Sequence, residues 1–268
     1  MISIVQIRLS HQRLRLKKWL VRLFKFKIRK ERMFGFTVHL FNYKTFTSLF
    51  RQMFITREYY FTSATSHPFI IDCGSNIGMS VLFFKRLYPE STVLAFEPDR
   101  ETFNLLEKNV RGNNLDNVEI FNKAVSDSDG AIDFYSNPDN PGALTMSIYS
   151  TWNPEKISYK VETVKLSRYI TKPVDFLKMD IEGSEYVVIE ELAQQDKLRL
   201  IHEMLMEYHH HMNPGEDRLG KMLAVLEENG FGYQIHSVLK MPFQKEQYQN
   251  LMIYAYQKDL AGRKNGQQ

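Results

Sequence analysis

One stretch, Phe69-Ile-Ile-Asp-Cys-Gly-Ser-Asn-Ile-Gly78, constrains this chain more than any other. Apolar residues run into Asp72, then Gly74, Asn76 and Gly78 follow at every second position, and apolar residues at helical spacing begin directly afterwards. The pattern predicts a buried strand, a tight turn and the start of a helix. Glycine suits such a turn because it tolerates positive φ and lets another group approach the backbone. The helix behind it points free N–H groups and the positive end of its dipole at the turn, which favours a carboxylate or phosphate. The expected guest has an anionic end.

Many α/β turns of this kind bind nothing, so the next strand decides the reading. Thr92-Val-Leu-Ala-Phe-Glu-Pro-Asp99 ends on an acidic residue, Glu97. A carboxylate at the end of the second strand, roughly 20 residues beyond the glycine turn, is placed to accept hydrogen bonds from two ribose hydroxyls. A dinucleotide fingerprint would read Gly-x-Gly-x-x-Gly, whereas here Asn76 stands between Gly74 and Gly78, and Asp72 precedes them. A carboxylate at that place opposes a pyrophosphate and suits a cationic amine. S-adenosylmethionine, with adenine, ribose, an amino acid end and a sulfonium, fits these residues better than NAD. Ser75 and Pro98 lie in the same two segments and are expected contacts.

Asp72-x-Gly74-x-Asn76-x-Gly78, Phe96-Glu97-Pro98-Asp99 and Lys178-Met-Asp180-Ile-Glu182-Gly183-Ser-Glu185 together resemble the motifs of the FkbM family of S-adenosylmethionine-dependent methyltransferases, over roughly residues 33–258. The resemblance implies a Rossmann-like class I methyltransferase fold: an α/β protein with a mostly parallel seven-stranded sheet and helices on both faces. It also implies a final antiparallel hairpin with the last strand inserted beside its predecessors, and methylation of a hydroxyl on a sugar or natural product.

Periodicity places the remaining elements. Alternation over Phe34–Leu40 predicts a strand, and Phe46, Leu49, Phe50 and Met53 share one face of a helix over Thr45–Arg57; residues 33–68 are read as an N-terminal cap over one end of the sheet. The methyltransferase domain is read as 69–258, with a polar tail at 259–268. Within it, helices over Ile77–Tyr88 and Arg100–Val110 alternate with strands ending at Glu97 and Phe121, the rhythm of a parallel sheet with right-handed crossovers. Ligands then bind beyond the carboxyl ends of the strands. The loop after the third strand would flank the adenine, with Val125 against the ring and Ser126 at its polar edge. Residues 128–172 interrupt the rhythm with short strands at Ala131–Tyr135 and Lys160–Leu166 around Asn137-Pro-Asp-Asn-Pro-Gly142; Thr145-Met-Ser-Ile-Tyr149 and Trp152 follow that turn. An insertion of this length is read as a lid or substrate platform, or as a small satellite core.

Charge is concentrated in one arm. Residues 1–32 carry eleven Lys or Arg against the single acid Glu31, leaving 24 basic and 30 acidic residues in the rest of the chain. Leu16, Leu20 and Leu23 beside Trp19 suggest an amphipathic helix, although Phe24, Phe26 and Ile28 alternate with cations as a strand would. The arm is too charged for a transmembrane span and lacks the features of a signal peptide. Three readings stand: it lies on an anionic membrane, contacts nucleic acid, or packs on its own domain or a partner chain. One cysteine, Cys73, excludes an intrachain disulfide and points to the reducing cytoplasm, peripheral to a membrane if the arm binds one.

At the strand ends, Asp180 closes the fourth strand, and a fifth strand over Leu198–Met206 delivers Glu207-Tyr-His-His-His211 to the same edge. Ser184 can cap the helix that follows Gly183, with Glu185 in its first turn. Methyl transfer to an alcohol needs an oriented acceptor and a place for its proton. The candidates are Asp180, Glu207, His209 and His210, with a histidine of the 209–210 pair or Asp180 expected to take the proton. A divalent alternative, Mg²⁺ held by Asp180 and Glu207 with His209 nearby, would lower the hydroxyl's pKa instead. The expected acceptor is a small molecule or glycan. The rivals are an RNA-directed methyltransferase using the basic arm and a nucleoside-binding scaffold without catalysis.

Overall fold

The computed structural model describes residues 3–136, 157–212, 217–238 and 248–260. The predicted strand–turn–helix is present as β3 (Phe69–Cys73) and α3 (Met79–Leu87); it follows α1 (Ile4–Phe24), the hairpin β1 (Lys30–Met33) and β2 (Phe36–His39), and α2 (Tyr43–Phe50). Then come β4 (Thr92–Phe96), α4 (Arg100–Arg111), β5 (Val118–Phe121), β6 (Ala124–Ser126), β7 (Gly130–Ser136), β8 (Ile157–Lys165) and β9 (Val174–Met179). The chain continues through α5 (Glu185–Gln194), β10 (Ile201–His210), α6 (Leu219–Glu228), β11 (Phe231–His236) and β12 (Gln249–Gln257).

Seven strands form the main sheet in the order β11-β12-β10-β9-β3-β4-β5. β12 runs antiparallel between β10 and β11, while β10, β9, β3, β4 and β5 are parallel. This is the class I methyltransferase arrangement, inserted last strand included. A three-stranded sheet, β6-β8-β7, accounts for the described part of the insertion. The segment expected to be a loop beside the adenine is therefore itself a strand, β6, pairing in parallel with β8. The turn at 137–142, the 145–149 segment and Trp152 lie outside the described residues, as does the tail from 261.

Side chains alternate across each strand, so the central strands contribute to two cores. Phe69, Ile71, Cys73, Leu94, Phe96, Leu177, Met179, Met204 and Met206 pack against α5 and α6. Ile70, Val93, Ala95, Phe176 and Leu205 face α3, α4 and the N-terminal cap. By the same alternation Asp72, Lys178, Glu207 and His209 fall on the cap face. The cap thus covers one face of the sheet, rather than only its end.

The cap departs from the sequence reading in three places. The predicted helix over 45–57 is α2 running without a break into a π-helical turn, Arg51–Thr56, that stops at Arg57 in the left-handed region. Residues 30–33 of the basic arm pair with 36–39 as a hairpin, and the Phe24–Ile28 alternation is not a strand. The helix α1 starts at a capping box, Ser3 with Gln6, and is tied down by Glu31. That carboxylate is buried and receives Lys17 Nζ at 2.9 and 3.0 Å, Tyr43 Oη at 2.9 Å and Arg13 Nη2 at 3.5 Å. Burial alone would raise the Glu31 pKa, but Lys17, Tyr43 and Arg13 hold it below the usual carboxylate value.

One buried ion pair joins the central strands. Register puts Lys178 of β9 beside Asp72 of β3, with the side chains 2% and 0% exposed and Nζ 3.3 Å from Oδ1. The ammonium also donates to the carbonyls of Cys73 (3.1 Å) and Gly74, and Ser80 Oγ donates to Asp72 Oδ2 at 2.5 Å. Oδ1 itself has ion-pair proximity without hydrogen-bond alignment. Although burial disfavours a charged lysine, Asp72 and Asp180 raise its pKa, so it remains an ammonium. Removing one member of such a pair strands the other charge in the interior at a cost of about 3–5 kcal/mol. Lys178→Met should lower the unfolding free energy by about that amount in a urea titration, and a loss under about 1 kcal/mol would show that the pair does not support the sheet.

Candidate active site

The turn after β3 takes its shape from three residues at positive φ: Gly74 (+81°), Asn76 (+48°) and Gly78 (+86°). A side chain at Gly74 would collide with the main-chain carbonyl of Asp180, and one at Gly78 with Leu106 Cδ1 at 2.7 Å. The two glycines thus let β9 and α4 approach the turn closely. This differs from the expectation that they make room for a ligand, although Gly74 also borders the cavity described next.

A cavity open to solvent lies at the carboxyl ends of β3, β4, β9 and β10. Ser75, Asn76, Glu97, Pro98 and Val125, the expected cofactor contacts, line it together with Asp180 and Glu207. Asp72, Gly78, Ser126, His209 and His210 are not part of its wall. For Asp72 the reason is the ion pair above: its carboxylate is fully enclosed by Ser80 and Lys178, so it does not reach a cationic amine directly. Ser126 turns its hydroxyl to Asp127 Oδ1 at 3.2 Å.

Glu97 is buried at the cavity wall, with Oε2 accepting from the Asn76 N–H and Oε1 from the Asp99 N–H, both at 2.9 Å. Burial, with the Asp99 charge adding to it, pushes its pKa up to about 8 against these hydrogen bonds. The carboxyl group is fixed in direction by these two N–H donors. Phe96, Ala124, Val125 and Phe134 supply apolar wall in the same cavity. A wall of aromatic and aliphatic groups next to a rigid carboxylate fits a nucleoside, so the residues present suit S-adenosylmethionine.

At the other side are the acids. Glu207 to His210 are the end of β10, not a loop beyond it, so they alternate between faces. Glu207 accepts from the Asn250 amide at Oε1 and from Gln52 Nε2 at Oε2, 3.5 Å away. Burial and then the neighbouring Asp180 charge raise its pKa to about 7. His209 sits behind it, with Nδ1 2.8 Å from Glu185 Oε1 and Nε2 3.4 Å from Glu182 Oε2 and 3.9 Å from Asp180 Oδ1. Burial by itself would lower the imidazole's pKa, but Glu185, Glu182 and Asp180 raise it to about 10. An imidazolium at neutral pH has no lone pair for an acceptor's proton. His210 points to the opposite face, 3.7 Å from Asp217, with its ring tilted 33° to that of His211 at a centroid distance of 3.8 Å. The geometry favours neither histidine of this pair as the base: carboxylates surround His209, and His210 lies on the other face of the sheet.

Asp180, Glu182 and His209 each offer a ligand atom within 4.8 Å of the others, close enough to share a metal ion. The group shares Asp180 and His209 with the expected set and has Glu182 in place of Glu207, whose oxygens accept from Asn250 and Gln52. Glu182 and Gly183 take positive φ, +56° and +111°, which folds the 180–185 segment back on itself. Ser184 stands at the N-cap of α5 without a side-chain cap; Glu185 Oε1 accepts from Gly183 N and Ile181 N instead.

Several wall residues were not anticipated. Leu49, Gln52, Met53 and Tyr59 come from the cap, and Lys123, Phe134, Lys178 and Glu182 from the domain. The cap contribution rests on tertiary packing and has no local signature. Lys178 did carry a signal: a lysine in the otherwise apolar end of Val174–Met179 must find a buried partner.

The chain matches the Methyltransferase FkbM domain over residues 72–233, more than half its length. It is 29% identical over 165 residues to "Methyltransferase 1" of Beauveria bassiana (strain ARSEF 2860), a match covering 54% of this chain and 66% of that protein. Methyltransferase sdnD of Sordaria araneosa is 27% identical over 214 residues, 68% of this chain and 81% of that one. The 2-O-methyltransferase NoeI of Sinorhizobium fredii (strain NBRC 101917 / NGR234) is 30% identical over 138 residues, 46% of this chain and 56% of NoeI. Among solved structures, methyltransferase FkbM from Methylobacillus flagellatus KT aligns with a TM-score of 0.49 and 15% identity, over 85% of this chain and 56% of that one. The matched region spans just under two thirds of the Beauveria protein and little more than half of NoeI. The chain belongs to the FkbM methyltransferase domain family, whose methyl donor is S-adenosylmethionine.

Proposed function

We propose that the protein transfers a methyl group from S-adenosylmethionine to a hydroxyl oxygen of a sugar-containing or natural-product acceptor. One observation carries the reading: a single cavity has a rigid buried carboxylate, Glu97, in its wall and a second carboxylate of pKa about 7, Glu207, elsewhere in the same wall. The similarity to NoeI, a 2-O-methyltransferase, supports the choice of oxygen.

When bound, the donor supplies a methyl on a positively charged sulfur, open to in-line displacement by an oxygen. Glu97 would accept hydrogen bonds from the ribose hydroxyls, with Ser75, Asn76 and Pro98 beside it. Phe96, Val125 and Phe134 would pack on the adenine and exclude water from it. Asp72 holds the turn in place from behind, through its ion pair with Lys178. Asp180 adds negative charge at the far wall, which favours a cationic centre there.

Glu207 is the better-placed base. Asn250 and Gln52 hold its carboxylate facing the cavity, and a pKa near neutrality leaves enough of it ionised to accept a hydroxyl proton and strong enough as a base to keep it. Asp180, also on the wall, would orient the acceptor hydroxyl. His209, held by Glu185, positions Asp180 and Glu182 as their counter-charge.

A second reading, a divalent cation in the Asp180, Glu182 and His209 group that polarises the acceptor, is favoured by the spacing of those atoms. Loss of turnover in EDTA with recovery on Mg²⁺ would support it, and full turnover in EDTA would end it. For the main reading, Glu97→Ala should weaken S-adenosylmethionine binding at least about tenfold by calorimetry, a loss of about 1.4 kcal/mol. Unchanged affinity would remove the ribose assignment. Glu207→Gln should cut kcat about 100-fold or more while donor affinity stays within about twofold; an unaltered kcat would return the proton to Asp180.

A further inference from the structure

The helix α1 has two apolar faces, and only one is used. Ile7, Leu14 and Val21 recur every seven residues and pack into the cap core, with Leu14 fully buried. On the opposite side Val5, Leu9, Leu16, Trp19 and Leu23 fall within an arc of about 80° at 3.6 residues per turn. All five are between 55 and 65% exposed. At the end of the helix and just past it, Phe24 and Phe26 stack on each other with ring centroids 5.5 Å apart and are 58 and 59% exposed. A surface helix of a globular domain normally has one apolar stripe facing its core. A second, solvent-facing stripe marks an interaction surface.

The charges say what kind. Arg8, Arg15 and Arg22, again seven residues apart, form a row along one edge of the exposed stripe, and among the described residues no carboxylate pairs with them. Arg13 and Lys17, by contrast, are consumed by Glu31 at the domain interface. The structure therefore separates structural cations from unpaired ones. A 21-residue helix with Leu and Trp on its outer face, flanked by free arginines, has the make-up of one that lies in the plane of a bilayer. Among the described residues no helix is long and apolar enough to cross a membrane.

We infer that α1 docks this protein on an anionic lipid surface through Val5, Leu9, Leu16, Trp19 and Leu23, with Arg8, Arg15 and Arg22 on the phospholipid headgroups. The inner face of the helix stays seated on α2 and the π-helical turn, whose Leu49, Gln52 and Met53 line the cavity. Docking thus sets the cap, and the cavity behind it, at a fixed attitude to the membrane. Acceptors displayed on a lipid surface would be within its reach. The inference does not depend on the identity of the base or the acceptor.

The test uses the full chain and vesicles of phosphatidylcholine with and without phosphatidylglycerol. The protein should sediment with the anionic vesicles and far less with the neutral ones. Replacing Arg8, Arg15 and Arg22 together by Gln should weaken binding about 100-fold. Leu9→Glu, Leu16→Glu and Trp19→Glu combined should abolish it. In a Trp152→Phe background, the fluorescence of Trp19 should shift to the blue on binding. Each variant must retain S-adenosylmethionine affinity, which separates a lost surface from a lost fold and from failure of the enzyme reading. Absence of sedimentation, or equal sedimentation of the stripe variant, overturns the inference. So does a dimer that the stripe variant dissociates, which would assign the face to a second copy, or binding of RNA rather than vesicles through the arginine row.

Discussion

A lysine buried to 2% exposure in the centre of a parallel sheet is an expensive residue, and the rest of this structure is arranged around it. Lys178 is tolerated because Asp72 lies beside it in register on β3 and because the carbonyls of Cys73 and Gly74 accept two of its hydrogen bonds. Those same contacts pin the glycine turn. Asp180 N donates to Cys73 O at 3.0 Å, so the end of β9 closes against the turn from its other side. Gly74 has no side chain because Asp180's carbonyl occupies that space. Charge pairing, turn geometry and strand spacing therefore stand or fall together, and they set the floor on which Glu97 and Asp180 meet one cavity.

The second organising constraint is the pleat. Because residues alternate between faces, Asp72, Lys178, Glu207 and His209 share the side of the sheet on which the N-terminal cap packs. The polar site is consequently roofed by cap residues, with Gln52 reaching Glu207 and the ring of Tyr59 lying 5.5 Å below Lys178 Nζ. Burial under that roof is what moves the carboxyl pKa values toward neutrality, to about 7 at Glu207 and about 8 at Glu97. The π-helical turn Arg51–Thr56, which carries Gln52 and Met53, is a distortion of the kind often found where a helix serves a site.

Much of this was legible in order along the chain. Five parallel strands, the glycine turn, Glu97 at the second strand end and Asp180 at the fourth follow from apolar periodicity and turn chemistry. Those rules act over a few residues, and here the tertiary structure agrees with them. They failed where a residue's role depends on something distant. Asp72 looked like a ligand contact because nothing local reveals that Lys178, over a hundred residues on, occupies its carboxylate. His209 looked like a base because its spacing to Glu182 and Glu185 does not show that they surround it closely enough to keep it protonated. His210 was separated from its neighbour only once the segment proved to be strand rather than loop.

By itself the sequence determined the α/β rhythm, the place of the cofactor edge and the concentration of cations in one arm, since each is a property of neighbouring residues. Tertiary structure alone decided which carboxylates face the cavity, which are spent on buried partners, and which of α1's two apolar faces is covered. The physical reason is that desolvation and Coulomb interaction depend on what surrounds a group in space, and the chain brings those surroundings together from strands, helices and cap only when it folds.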